Sequence, residues 1–112
     1  MFRISSGNTI TLTQGDSFYA VVSLTEMETG HAYTPQEGDV IKFGVKKSTN
    51  DAECVIEKTI PNETLLLYLA PSDTKTLPLG NYVYDIELTT AGGDVDTFIN
   101  KATFVLVAEV LD

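Results

Sequence analysis

Apolar and polar residues alternate with a period of two along most of the chain. They do so in short runs rich in Val, Ile, Thr, Tyr and Phe, the pattern of half-buried β-strands. In Thr9–Thr13, Ile10 and Leu12 share one face. Ser17–Thr25 puts Phe18, Ala20, Val22 and Leu24 on one side, with Tyr19 and Val21 opposite. Val40–Lys46 sets Ile41, Phe43 and Val45 inward and Lys42, Gly44 and Lys46 outward. Cys54–Ile60 places Cys54, Ile56, Lys58 and Ile60 in one register. Thr64–Leu69 is almost continuously apolar, as in a strand buried on both faces. Asn81–Thr89 opposes Tyr82, Tyr84, Ile86 and Leu88 to Val83, Asp85, Glu87 and Thr89. Val95–Val110 is long enough for two strands or one bent strand, broken near Asn100-Lys101.

The punctuation between these runs is regular. Gly15-Asp16, Gly38-Asp39 and Gly93-Asp94 each stand just before a predicted strand. Glycine reaches positive φ without steric cost and Asp bonds back to nearby backbone, so each pair predicts a turn. Ala91-Gly92-Gly93-Asp94 predicts a hairpin. One helical turn is expected within Pro71–Thr76, near 72–76, capped by Ser72 or Asp73 and ended by Pro78. Strands every ~8–12 residues with turns between them predict a sandwich or small barrel. The chain has 112 residues, and one domain of this kind accounts for all of it, residues 1–112.

Charge and cysteine usage narrow the partners. Sixteen acidic residues against seven basic ones give a net charge of −9. A duplex or an anionic membrane repels such a surface, so neither nucleic acid nor membrane is an expected partner. The single cysteine, Cys54, rules out an internal disulfide, and the apolar core must hold the fold alone. The N-terminal residues lack an apolar h-region, so no signal peptide is expected. The longest apolar stretches, Leu65–Ala70 and Phe104–Ala108, fall far short of the ~20 residues of a membrane helix. Asn62-Glu63-Thr64 matches a glycosylation sequon but reads as a polar turn after Pro61.

Little of the composition suits catalysis. His31 is the only histidine, so neither a Ser-His-Asp arrangement nor a transition-metal site is expected, and no cofactor is implied. Asp94 with Asp96, or the loop Asn50-Asp51-Ala52-Glu53, has oxygens for calcium but not the spacing of a calcium loop. Carboxylate pairs are available, yet inward positions that are all apolar leave little room for a substrate cleft. Tyr19, Tyr33 and Tyr68 are candidates for stacking on sugar rings if they gather on one exposed face.

Two segments carry a resemblance. Leu77-Pro78-Leu79-Gly80-Asn81-Tyr82-Val83-Tyr84-Asp85-Ile86 resembles the corner before the sixth strand of an immunoglobulin-like sandwich. There a turn passes through Gly (here Gly80) into a strand whose first inward Tyr (here Tyr82) bonds the corner backbone. Tyr84 stands where antibody-type domains carry a disulfide cysteine. With Thr11-Leu12-Thr13-Gln14-Gly15-Asp16-Ser17-Phe18 and Glu37–Lys47, the order of motifs resembles short phage proteins similar to the N-terminal domain of phage baseplate upper proteins. The likeness runs roughly from Thr9 to Val110. It implies an all-β, immunoglobulin-like antiparallel sandwich of about seven strands. It also implies a non-catalytic structural role in a phage or prophage tail, in the virion or in the bacterial cytoplasm during assembly.

Outward apolar residues supply a means of assembly. Tyr19, Val21, Val83, Val105 and Val107 all lie opposite the predicted core faces, where an antiparallel sandwich is ordinarily polar. In the immunoglobulin arrangement Val83, Val105 and Val107 share one outer surface. The expected partner is a second copy or a neighbouring tail or baseplate protein, bound by that surface or by an edge strand.

Overall fold

The alternation becomes eight strands, among the described residues, in two packed sheets. The structure, a computed structural model, describes residues 2–4, 9–22, 24, 33–48, 50 and 53–108, excepting the side chains of 2–4 and 98–101. In chain order the elements are β1 (Phe2–Ile4), β2 (Ile10–Thr13), β3 (Phe18–Val21), β4 (Val40–Lys46), β5 (Ile56–Ile60), β6 (Leu66–Leu69), the helical turn α1 (Pro71–Thr74), β7 (Gly80–Thr89) and β8 (Val95–Val107). One sheet has the order β1-β2-β8-β7-β4-β5, and the other pairs β3 with β6. This is an all-β, sandwich-like fold of one mixed sheet and a second small sheet. Its pairings are antiparallel except β2 with β8, which run parallel.

The predicted inward positions form the core. Ile41, Phe43 and Val45 of β4 meet Tyr82, Tyr84, Ile86 and Leu88 of β7, with Phe104 and Leu106 of β8 beside them. Phe18, Val22, Leu24, Leu67 and Leu69 close the core from the side of the small sheet. The Phe43 ring lies 5.4 Å from Tyr84 and 6.4 Å from Phe104, and Tyr82 meets Phe104 edge-on at 6.4 Å. Burial pushes the Tyr84 phenol up to about 12, because the phenolate would lose its hydration there.

The expected corner is present. The Tyr82 hydroxyl donates to the Pro78 carbonyl at 2.6 Å, and Gly80 has φ +133°. A second tie joins the β2–β3 turn to α1: the Gln14 side-chain amide donates to the Leu77 carbonyl at 2.6 Å, and the Gly15 N–H donates to buried Thr74 Oγ1 at 2.9 Å. Gly38, at φ +88°, lies so close to the 91–94 hairpin that an added Cβ would sit 2.6 Å from Ala91 Cβ. The following Asp39 is buried, and its carboxylate accepts from the Tyr33 hydroxyl at 2.6 Å and the Gln36 N–H at 2.8 Å. Asn62, in the turn after Pro61, donates to the Asp39 carbonyl at 2.9 Å.

Several expectations are corrected. β6 is not buried on both faces: Leu67 and Leu69 are inside, but Tyr68 is exposed, because a two-stranded sheet has only one core side. α1 is capped by Ala70 rather than Ser72 or Asp73. Pro71 takes the first helical position, so the residue before it is the cap. Asp73 still contributes, accepting the Ala70 N–H at 2.8 Å and pairing with Lys58 at 2.9 Å. The strand expected from Cys54 begins at Ile56, and Cys54 lies exposed before it. β8 is one bent strand. Its register with β7 slips twice between the pairs Tyr84–Ala102 and Glu87–Thr97, the stretch that holds Asn100-Lys101. β1 is a strand that the alternation does not announce, since three residues are too few to display a period.

Tyr82→Phe is expected to destabilise the fold by about 1 kcal/mol, the net worth of one hydrogen bond, seen as a lower urea midpoint at unchanged slope. The Tyr33 hydroxyl, then the Gln36 N–H, hold the Asp39 carboxyl below the usual carboxylate range. Its stabilising effect is therefore complete above the unfolded-state pKa of about 3.9 and lost as pH falls through the lower folded value. Asp39→Asn should flatten the acid limb of a plot of denaturation midpoint against pH.

Candidate functional site: two outer sheet faces

The five outward residues singled out above fall on two separate faces. Tyr19 and Val21 belong to the small sheet. Their direct partners across the pair are Tyr68 and Leu66. Because Phe18, Leu67 and Leu69 point into the core, alternation sends Tyr19, Val21, Leu66 and Tyr68 outward. Every outward position of both strands is thus apolar or aromatic. Val21 is 72% exposed and Tyr19 51%. The Tyr19 and Tyr68 rings lie 4.7 Å apart, tilted by 38°. The charge of a Tyr68 phenolate, then burial and a hydrogen bond with Tyr68, raise the Tyr19 phenol above its ordinary value. Tyr33 does not join them; it packs against the core with its hydroxyl on Asp39.

Val83, Val105 and Val107 lie on the outer face of the large sheet. Val105 stands opposite Asn81 and Val83 opposite Thr103, so the two valines are diagonal neighbours across β7 and β8. Val107 follows two residues along β8, beside Thr13 of β2. Val83 and Val105 are half-buried and Val107 is exposed. Threonines at 11, 13 and 103 and Asn81 separate the methyl groups, so this strip is narrower and more polar than the small-sheet face.

Next to Val83 the large sheet has a hollow of about 290 Å³. Gly44 of β4 lines it, with Glu57 of β5 on one side and Asp85 of β7 on the other. Lys42 and Lys46 stand above and below Gly44 along the strand, and Glu87 pairs across from Lys42. Lys42 Nζ lies 3.9 Å from the Glu57 carboxylate. Cys54 Sγ is 3.0 Å from the point a Cβ at residue 44 would occupy. Pattern reasoning missed this hollow. The available signal was a glycine inside the strong strand sequence Val40–Lys46, since an interior strand glycine often marks a close approach.

Among the described residues, no His, Cys, Asp or Glu side chains form a group of three or more placed to hold a metal ion. Asp94 and Asp96 are exposed, while His31 and Asp51 lie outside the described residues. No helix of the described residues is long and apolar enough to cross a membrane. Comparison with family models and with curated proteins returned no match.

If the two rings are coupled as placed, Tyr68→Phe should return the Tyr19 phenol toward its ordinary pKa. An ultraviolet titration checks this, and an unmoved curve would mean that the rings are apart in solution.

Proposed function

We propose that this chain is a non-enzymatic structural module of a phage or prophage tail or baseplate, assembling by packing of its outer sheet surfaces. The observation that carries the reading is the outward face of β3 and β6, where Tyr19, Val21, Leu66 and Tyr68 leave no polar position. A contiguous apolar face on a small domain marks a contact site, and among the described residues β3 and β6 pair only with each other. The neighbour is a tail or baseplate protein that covers this face. The net charge of −9 keeps the unassembled domain in solution. The phage setting rests on the order of motifs from Thr9 to Val110, and it locates the protein in the virion, or in the bacterial cytoplasm before assembly.

The Tyr19–Tyr68 ring pair favours a second reading, a carbohydrate- or cell-surface-binding module, because neighbouring exposed rings offer a surface on which a sugar can stack.

Co-expression with the tail genes of the source phage separates the two. The wild-type chain should co-sediment with tail particles, and Val21→Lys should abolish incorporation. An exposed substitution shifts stability by no more than about 0.5 kcal/mol, so the melting temperature should barely move. A chain that stays out of every particle, yet binds a glycan array as a monomer and loses that binding in Tyr68→Ala, would establish the second reading instead.

A further inference from the structure

We infer that the outer face of the large sheet is a self-association surface on which a second copy of this chain packs face to face. The inference rests on the assembly reading above and names one of its partners.

Charge order on this face is the first argument. Among the described side chains of this face, lysines occupy one strand, β4, and carboxylates occupy the strands on both sides, Glu57 on β5 and Asp85 and Glu87 on β7. A two-fold axis running along the strands between β4 and β7 lays β4 of each copy over β7 of the other. The rows Lys42–Glu87 and Gly44–Asp85 are already in register, so the axis sets Lys42 opposite the partner's Glu87. It also lowers the partner's Asp85 into the Gly44 hollow, between Lys42 and Lys46. The contact is reciprocal, as a two-fold interface requires. Among the described side chains of this face, two lysines stand against three carboxylates, close to neutral, whereas the whole chain carries −9. It is therefore a face that two copies can bring together without strong repulsion.

The shape of the face agrees with this. Gly44 has ordinary strand backbone, since it is not among the positive-φ glycines. Its missing side chain thus serves space rather than conformation, and about 290 Å³ remains open despite Cys54 beside it. Val83 borders the hollow, and Val105 and Val107 continue the apolar strip toward β2. With the axis between β4 and β7, strands β5, β4, β7 and β8 face their counterparts, and at a spacing of ~4.8 Å they give a face roughly 19 Å wide and, along β4, roughly 23 Å long. That flat footprint of roughly 440 Å² is below the ~800 Å² each partner of a standard stable dimer covers, so the association is a weak, reversible one.

Sedimentation equilibrium on purified chains tests the inference. The wild type should dimerise, more weakly as salt is added. Asp85→Lys with Glu87→Lys, and separately Lys42→Glu with Lys46→Glu, should each raise the dimer Kd at least ~10-fold, and an equimolar mixture of the two variants should restore association. Gly44→Val should weaken the dimer by closing the hollow, with circular dichroism verifying that each variant is folded. A monomeric wild type, or a dimer indifferent to the charge reversals, overturns the inference. A dimer broken by Val21→Lys but not by the reversals also overturns it, while leaving the assembly reading through the small sheet intact.

Discussion

The interior of this domain depends on an aromatic cluster shared by three adjacent strands. Phe43 of β4, Tyr82 and Tyr84 of β7 and Phe104 of β8 contact one another on the inner face of the large sheet. Antibody-type sandwiches tie this region with a disulfide, whereas here Tyr84 occupies the corresponding place and Cys54 is exposed. An aromatic side chain buries some 150–250 Å², enough for dispersion and water exclusion to hold the layers without a covalent tie. Tyr82 does double duty: its ring fills the cluster and its hydroxyl anchors the corner at Pro78.

With that interior in place, the turns are secured by side chains reaching across the fold. Thr74 and Gln14 join the β2–β3 turn to α1. Asp39, held by Tyr33 and Gln36, fixes the entry to β4, and Asn62 reaches back to its carbonyl. These bonds satisfy polar groups that the compact turns would otherwise leave without water, and the described residues contain no buried side-chain polar atom lacking a partner. The two outer faces inherit a rigid backbone, so their side chains are presented in fixed register.

The two faces differ in kind. The small sheet offers a compact patch of rings and methyl groups, with no charge among its four outward side chains. The large sheet offers threonines, valines and ordered charges around a hollow. A hydrophobic patch attracts without direction, whereas alternating charge stripes select an orientation. In the proposed assembly, these two faces would serve two different neighbours.

Period-two alternation by itself determined the inward rows of β2, β3, β4 and β7, because burying one face of a strand is decided locally. The Gly-Asp pairs and the residues Pro78, Gly80 and Tyr82 likewise marked turns and corner, their chemistry being confined to a few adjacent residues. Tertiary structure alone decided the rest. Whether Tyr68 is buried depends on how many strands its sheet has, and whether Tyr19 and Val83 share a surface depends on which sheet each strand joins. The parallel pairing of β2 with β8 and the hollow over Gly44 arise from residues far apart in the chain. Such placements follow from long-range packing, which a local period of two does not encode.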